Sequence, residues 1–220
     1  MKRIVVVLVV SLAFVSQTFS QSIPARTVLI DQESNLYMDA NEVTVGDWLS
    51  FLNDLKQTSG ENSVIYKASL PNDAMCQQAY KTANYFTDPA YLNYPMVGIT
   101  YEQALVYCGW RTDNAFKTMN NAKKKPAYFY FYSLPTDVEL QKAYALQTEK
   151  PTTKSIAAIN MKTKGITDLG YNAKEMTANK KMLTEEGANG LRFEEYTGAA
   201  ALVGFRCKLV IKPVPVQPNN

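Results

Sequence analysis

At three places along this chain a threonine that stands three residues before a carboxylate or amide is followed by an amphipathic stripe. Thr44-Val45-Gly46-Asp47 precedes Trp48, Phe51, Leu52 and Leu55, and Thr100-Tyr101-Glu102-Gln103 precedes Ala104, Leu105, Cys108 and Trp110. Thr136-Asp137-Val138-Glu139 follows Pro135 and opens a third helix, expected to run to about Gln147. At such a start the threonine hydroxyl accepts one orphan N–H of the first turn, and the side chain three residues on takes the cap's own N–H. Three helices are thereby predicted, each with its starting residue fixed.

Between them lie short extended runs. Thr27 to Ile30 and Asn35 to Met38 frame an N-terminal hairpin through Asp31–Ser34, Ala127 to Tyr132 is an aromatic strand, and Gly204 to Ile211 closes the fold. From Leu169 to Leu202 the pattern is irregular, punctuated by Gly187, Gly190 and Gly198. Short strands, capped helices and much loop predict a single α+β domain with no internal repeat.

The ends carry other information. Lys2 and Arg3 precede an apolar run from Ile4 to Val15, and a short polar stretch reaches Ser20. That order reads as a signal peptide over residues 1–20, cut before Gln21. The run is shorter than the roughly 20 apolar residues of a spanning helix, no later stretch could span a bilayer, and no Cys near the cut suggests lipidation. The expected location is periplasmic, cell-surface or secreted. Residues 21–211 then form the domain, and 212–220, with Pro213, Pro215 and Pro218, a polyproline-like tail.

Loss of the leader takes the formal charge from +3 to +1, with no electrostatic footprint for nucleic acid. Lys123, Lys124 and Lys125 read as a solvated loop. With no histidine in the chain, imidazole chemistry is excluded. Of Cys76, Cys108 and Cys207, two could bridge in an oxidising compartment and one would remain. The paired acids Glu185-Glu186 and Glu194-Glu195 read as surface charge in loop-like sequence, and Trp48 and Trp110 as core.

Five segments in order resemble the sulfatase-modifying-factor (formylglycine-generating enzyme) family. They are Asn41-Glu42-Val43-Thr44 with Trp48; Tyr94-Pro95-Met96-Val97-Gly98 through Tyr107-Cys108-Gly109-Trp110-Arg111; Leu134-Pro135-Thr136-Asp137-Val138-Glu139; Gly165 to Glu175; and Gly204-Phe205-Arg206-Cys207. The stretch Asp88-Pro89-Ala90-Tyr91 with Tyr94-Pro95 and Trp110-Arg111-Thr112 is most similar to gliding-motility and type IX secretion lipoproteins of Bacteroidota. The resemblance implies a variant C-type lectin fold. It also implies a disulfide between Cys108 and Cys207, which would contribute about 4–5 kcal/mol by closing a loop of roughly a hundred residues, and leaves Cys76 unpaired.

The family's oxidative chemistry needs two closely spaced thiolates for Cu(I), a soft ion that demands soft ligands. By the resemblance they belong between Met176 and Val203, where this chain has no cysteine. Related enzymes hold iron with histidine, which is absent. Family residues are also replaced by Ser133, Leu140, Tyr171, Lys174 and Met176. No catalytic residue and no required cofactor is therefore expected; Asn172, Glu175 and Asp168 are the candidate ligands for a structural calcium, with a turn-forming Asp168 and a solvated Glu175 as the alternative. The expectation is a non-catalytic envelope protein whose partners are other envelope proteins, with a glycan as second candidate ligand and a formylglycine-generating oxidase as the third reading.

Overall fold

The computed structural model describes residues 23–119, 128–149 and 156–215. The expected leader, the Lys123–Lys125 cluster and Pro218 lie outside the described residues. Among the described residues no helix is long and apolar enough to cross a membrane.

The chain opens with a hairpin, β1 (Thr27–Asp31) and β2 (Leu36–Asp39), turned at Asn35 with φ +49°. Helix α1 (Val45–Ser59) follows, capped by Thr44 and Asp47 in a reciprocal box, and buries Trp48, Phe51, Leu52 and Leu55 as its spacing predicts. Two short helices, α2 (Val64–Ala68) and α3 (Asp73–Tyr80), lead to α4 (Tyr101–Met119). At the start of α4 the Thr100 N–H donates to Gln103 Oε1 at 2.8 Å, and the Gln103 N–H returns to Thr100 Oγ1 at 3.2 Å. Gln103 also donates its amide to the Ala68 and Leu70 carbonyls, anchoring the exit of α2 on this cap.

The remaining elements are β3 (Tyr128–Ser133), α5 (Asp137–Tyr144), β4 (Gln147–Glu149), β5 (Ile166–Thr167), β6 (Lys174–Met176), β7 (Lys181–Gly187), β8 (Gly190–Glu195), β9 (Val203–Gly204) and β10 (Lys208–Pro213). One antiparallel sheet has the order β1-β2-β10-β3, a second sheet the order β8-β7-β6-β9, and β4 pairs with β5 alone. The last strand of the domain thus lies beside β2, the second strand of the N-terminal hairpin. The mixed α+β class stands as expected.

Four expectations are corrected. The supposedly irregular segment contains the β7–β8 hairpin, and Glu185, Glu186, Glu194 and Glu195 sit on its strands rather than in loops. Helix α5 stops at Tyr144, because Gln147 is drawn into a parallel bridge with Ile166. The buried stripe of α4 is Ala104, Tyr107, Cys108 and Ala115, and Leu105 faces outward. Pro213 ends a strand paired with Tyr128 instead of starting the tail; an edge pairing of this kind spares proline the N–H it lacks.

The main core lies between α1, α4 and the first sheet. Trp48 stacks on Tyr107 with centroids 5.4 Å apart, and Phe205 meets both rings edge-on. Each such aromatic pair is worth about 0.5–1.5 kcal/mol beyond the area it buries. Gly204 admits this packing, since a Cβ there would lie 2.5 Å from the Met96 carbonyl oxygen. A smaller core of Met38, Leu140, Ala143, Ile166, Leu169 and Leu183 fastens α5 to the other face of the first sheet and to β7.

Candidate functional site

Arg206 lies between two buried core residues, Phe205 and Cys207, and is itself fully buried. A guanidinium so placed must find acceptors for its N–H groups or forfeit its hydration. Its Nε donates to Glu175 Oε2 at 2.7 Å and its Nη2 to Glu175 Oε1 at 2.8 Å, a two-pronged pair of the strong class. The other bonds go to the carbonyls of Ala40 at 3.0 Å, Asp39 at 3.3 Å and Thr167 at 2.9 Å. One side chain therefore joins the exit of β2 to β5 and β6.

Glu42 completes the cluster. Its Oε2 is buried without a hydrogen-bond partner, 3.8 Å from Arg206 Nη2. Burial, and then the negative charge of Glu175, push its carboxyl well above the usual range and hold it towards the neutral acid. Burial also raises Glu175, with Arg206 opposing it. Burial works to discharge Arg206, but Glu175, Glu42 and Asp168 together outweigh it and keep the guanidinium charged.

The candidate calcium ligands do not converge on a cation. Both Glu175 oxygens are spent on Arg206, so the expected solvated acid is instead a buried ion pair. Asn172 Oδ1 accepts the Ala157 N–H, and Asp168 Oδ2 accepts the Thr167 hydroxyl. Among the described residues no three His, Cys, Asp or Glu side chains are grouped to hold a metal ion. What the segment does form is a tight turn. Asp168, Gly170 and Asn172 all have positive φ, and a Cβ on Gly170 would lie 2.6 Å from the Glu186 amide nitrogen. Tyr171 fits in this turn without being glycine because the left-handed positions flank it.

Cys108 on α4 and Cys207 beside β10 are brought together, with sulfurs 3.5 Å apart and both thiols buried and free. Burial, and then the Cys108 sulfur, push the Cys207 thiol well above its ordinary value. Cys76 is separate. Its thiol donates to the Val97 carbonyl at 3.2 Å, and burial pushes it up to about 11, so it is an inert thiol at neutral pH.

The interval expected to carry copper thiolates is occupied by the β7–β8 hairpin and by the segment leading to β9. That segment, including Ala199, Ala200 and Ala201, lines a cleft of about 410 Å³ together with Lys174, Met182 and Met75. No cysteine lines this cleft; the sulfurs in its lining are the thioethers of Met75 and Met182. Trp48 is core as expected, whereas Trp110 is half-buried and donates its indole N–H to Asp54 at 2.8 Å.

Sequence reasoning missed the Arg206–Glu175–Glu42 cluster. The available signal was an arginine between two apolar residues at the start of a closing strand, which demands a buried carboxylate somewhere in the chain. The family model of the sulfatase-modifying factor enzyme 1-like domain matches residues 6–182. No curated protein matches the chain.

Proposed function

Because the chain belongs to the sulfatase-modifying factor enzyme 1-like domain family, we propose that it is a non-catalytic member that uses the family scaffold as a protein-interaction module in the cell envelope. The observation that carries this reading is the lack of any cysteine between Met176 and Val203, the interval in which the resemblance puts the thiolates of the family's oxidative chemistry. The scaffold around it is intact: capped helices, the buried Arg206–Glu175 pair and the adjacent Cys108 and Cys207. Function then resides in surface contacts made outside the cytoplasm, where Cys108 and Cys207 join as a disulfide. Partners are other envelope proteins, of the gliding or type IX secretion kind that the Asp88–Tyr94 and Trp110–Thr112 segments resemble.

Affinity purification from the native envelope, after mild cross-linking and at endogenous expression, tests this. A stoichiometric envelope protein that co-elutes is the expected result. Recovery of the free monomer alone would refute the reading.

A further inference from the structure

Strand β8 is an edge of the second sheet: β7 pairs with one of its sides and, among the described residues, no strand pairs with the other. Backbone groups alternate sides along a strand, and two bonds fix which of them face outward. The Tyr196 N–H donates back across the hairpin to the Lys180 carbonyl at 3.0 Å, whereas the Leu191 N–H donates away from β7, to Gln141 Oε1 of α5 at 3.0 Å. Leu191, Phe193 and Glu195 therefore turn their N–H and C=O groups to the open side. Gln141 satisfies the first of these donors, and Gly190 makes room for it, since a Cβ there would lie 2.5 Å from the Gln141 amide nitrogen. The peptide groups of Phe193 and Glu195 stand ready for a further strand.

Beside this edge the surface is hollow. A recess of about 430 Å³ lies between α5 and β8, lined by Asp137, Val138, Gln141 and Lys142 on the helix and by Leu191 and Phe193 on the strand. Val138 is 64 % exposed, an apolar side chain left in water next to two others. The charges around the recess are nearly all spent. Lys142 pairs with Asp31 at 2.9 Å, Lys181 with Asp137 at 2.6 Å and Arg192 with Glu185 at 3.1 Å, and Glu186 accepts the Tyr144 and Tyr171 hydroxyls. Lys181 feels Glu195, but its ammonium is bonded to Asp137. Glu194 and Glu195 are exposed and belong to no ion pair among the described residues, so the open strand itself carries the uncompensated negative charge.

We propose that β8 receives an extended basic segment of a partner protein, added to the sheet as its next strand. An apolar side chain of that segment enters the recess beside Val138, and its cationic side chains meet Glu194 and Glu195. In this mode main-chain hydrogen bonds give affinity and the pocket for alternate side chains gives specificity. A second copy of this chain is the wrong occupant, because pairing two β8 strands would set Glu194 and Glu195 of one against those of the other. The assignment rests on the reading of the chain as an interaction module and gives that module its contact surface.

Fluorescence anisotropy on the full mature chain tests it, with a labelled, capped peptide of alternating lysine and valine as the probe. Saturable binding of this peptide is expected. Its glutamate–valine analogue and an analogue N-methylated throughout, which has no backbone donors, should bind at least about tenfold more weakly. Glu195→Gln removes only a charge, whereas Glu195→Pro also removes an N–H that β7 does not use, at an edge position where proline is tolerated. The proline variant should bind the probe at least about fivefold more weakly than the glutamine variant, and Val138→Ser at least about fivefold more weakly than wild type, with thermal melts showing that all three fold. Binding of the probe weaker than about 1 mM, equal binding of either analogue, or unchanged affinity in the folded variants would overturn the proposal. The assay needs no native partner and so reads this edge separately from the co-purification. A partner that co-elutes as fully with Glu195→Pro and Val138→Ser as with the wild-type chain would sink this surface and leave the module reading in place.

Discussion

Replacing Arg206 by methionine removes the only cation in the buried cluster while leaving a side chain of similar length. Glu175 then loses both its hydrogen bonds, and the carbonyls of Asp39, Ala40 and Thr167 lose their donor. Breaking one half of a buried ion pair costs about 3–5 kcal/mol, and the carbonyls add roughly 1 kcal/mol more once entering water has offset part of their loss. The expected destabilisation is therefore about 4–6 kcal/mol at pH 7.5, much of the roughly 5–15 kcal/mol that stabilises a domain. The loss should depend on pH. A carboxyl whose folded pKa lies above its unfolded value takes up a proton on folding, so stability falls as pH rises from the unfolded pKa, about 4.3 for glutamate, towards the folded one. Burial already raises Glu175, and only Arg206 restrains it. Without Arg206 that rise is larger, so the deficit of the variant should shrink by at least about 1 kcal/mol between pH 7.5 and pH 5. Urea unfolding of both proteins at the two pH values measures it. A loss below about 1.5 kcal/mol at pH 7.5, or the same deficit at both, would refute the assignment of Arg206 as the counter-charge of a buried carboxylate.

Three further outcomes follow from the same geometry. Wild-type stability should decline from pH 5 to pH 8, and Glu42→Gln should flatten that decline, because Glu42 is buried, has an Oε2 without a hydrogen-bond donor and is held towards its neutral form; urea midpoints with coincident slopes would contradict it. Protein recovered from the periplasm should show one titratable thiol when denatured, that of Cys76, and reductant should lower its stability by about 4–5 kcal/mol with no effect on Cys108→Ala; three titratable thiols would refute the bridge. Gly170→Ala should cost at least about 2 kcal/mol, since its φ is +79° and the new Cβ would meet the Glu186 backbone at 2.6 Å; a thermal melt within a degree of wild type would refute it.

Features determined by neighbours in sequence were legible before the fold was known. The boxes at Thr44, Thr100 and Thr136 are local hydrogen-bond chemistry, and all three start helices where expected. The hairpin around Asn35 and the aromatic strand are equally local. Leu105 was misplaced because a four-residue window cannot separate two faces of a helix 100° apart, and the aromatic ring of Tyr107 won the inward position. The β7–β8 hairpin escaped because its faces are only partly buried and its strands carry charges, which blunts the alternation that marks a strand. Arg206 and Glu175, 31 residues apart, meet beside the parallel pairing of β6 with β9, and Arg111 and Asp39, 72 apart, meet once the first sheet has formed. That no cysteine lies between Met176 and Val203 is readable directly, being a matter of residue type.

The most direct measurement of whether this scaffold has lost oxidative chemistry is to incubate the purified mature chain with Cu(I), oxygen and a sulfatase-type cysteine peptide, and to weigh the peptide. Unchanged peptide mass over many hours, under conditions in which an active family member converts it, is the predicted result. Conversion of the peptide thiol to an aldehyde, abolished by removing copper, would contradict it.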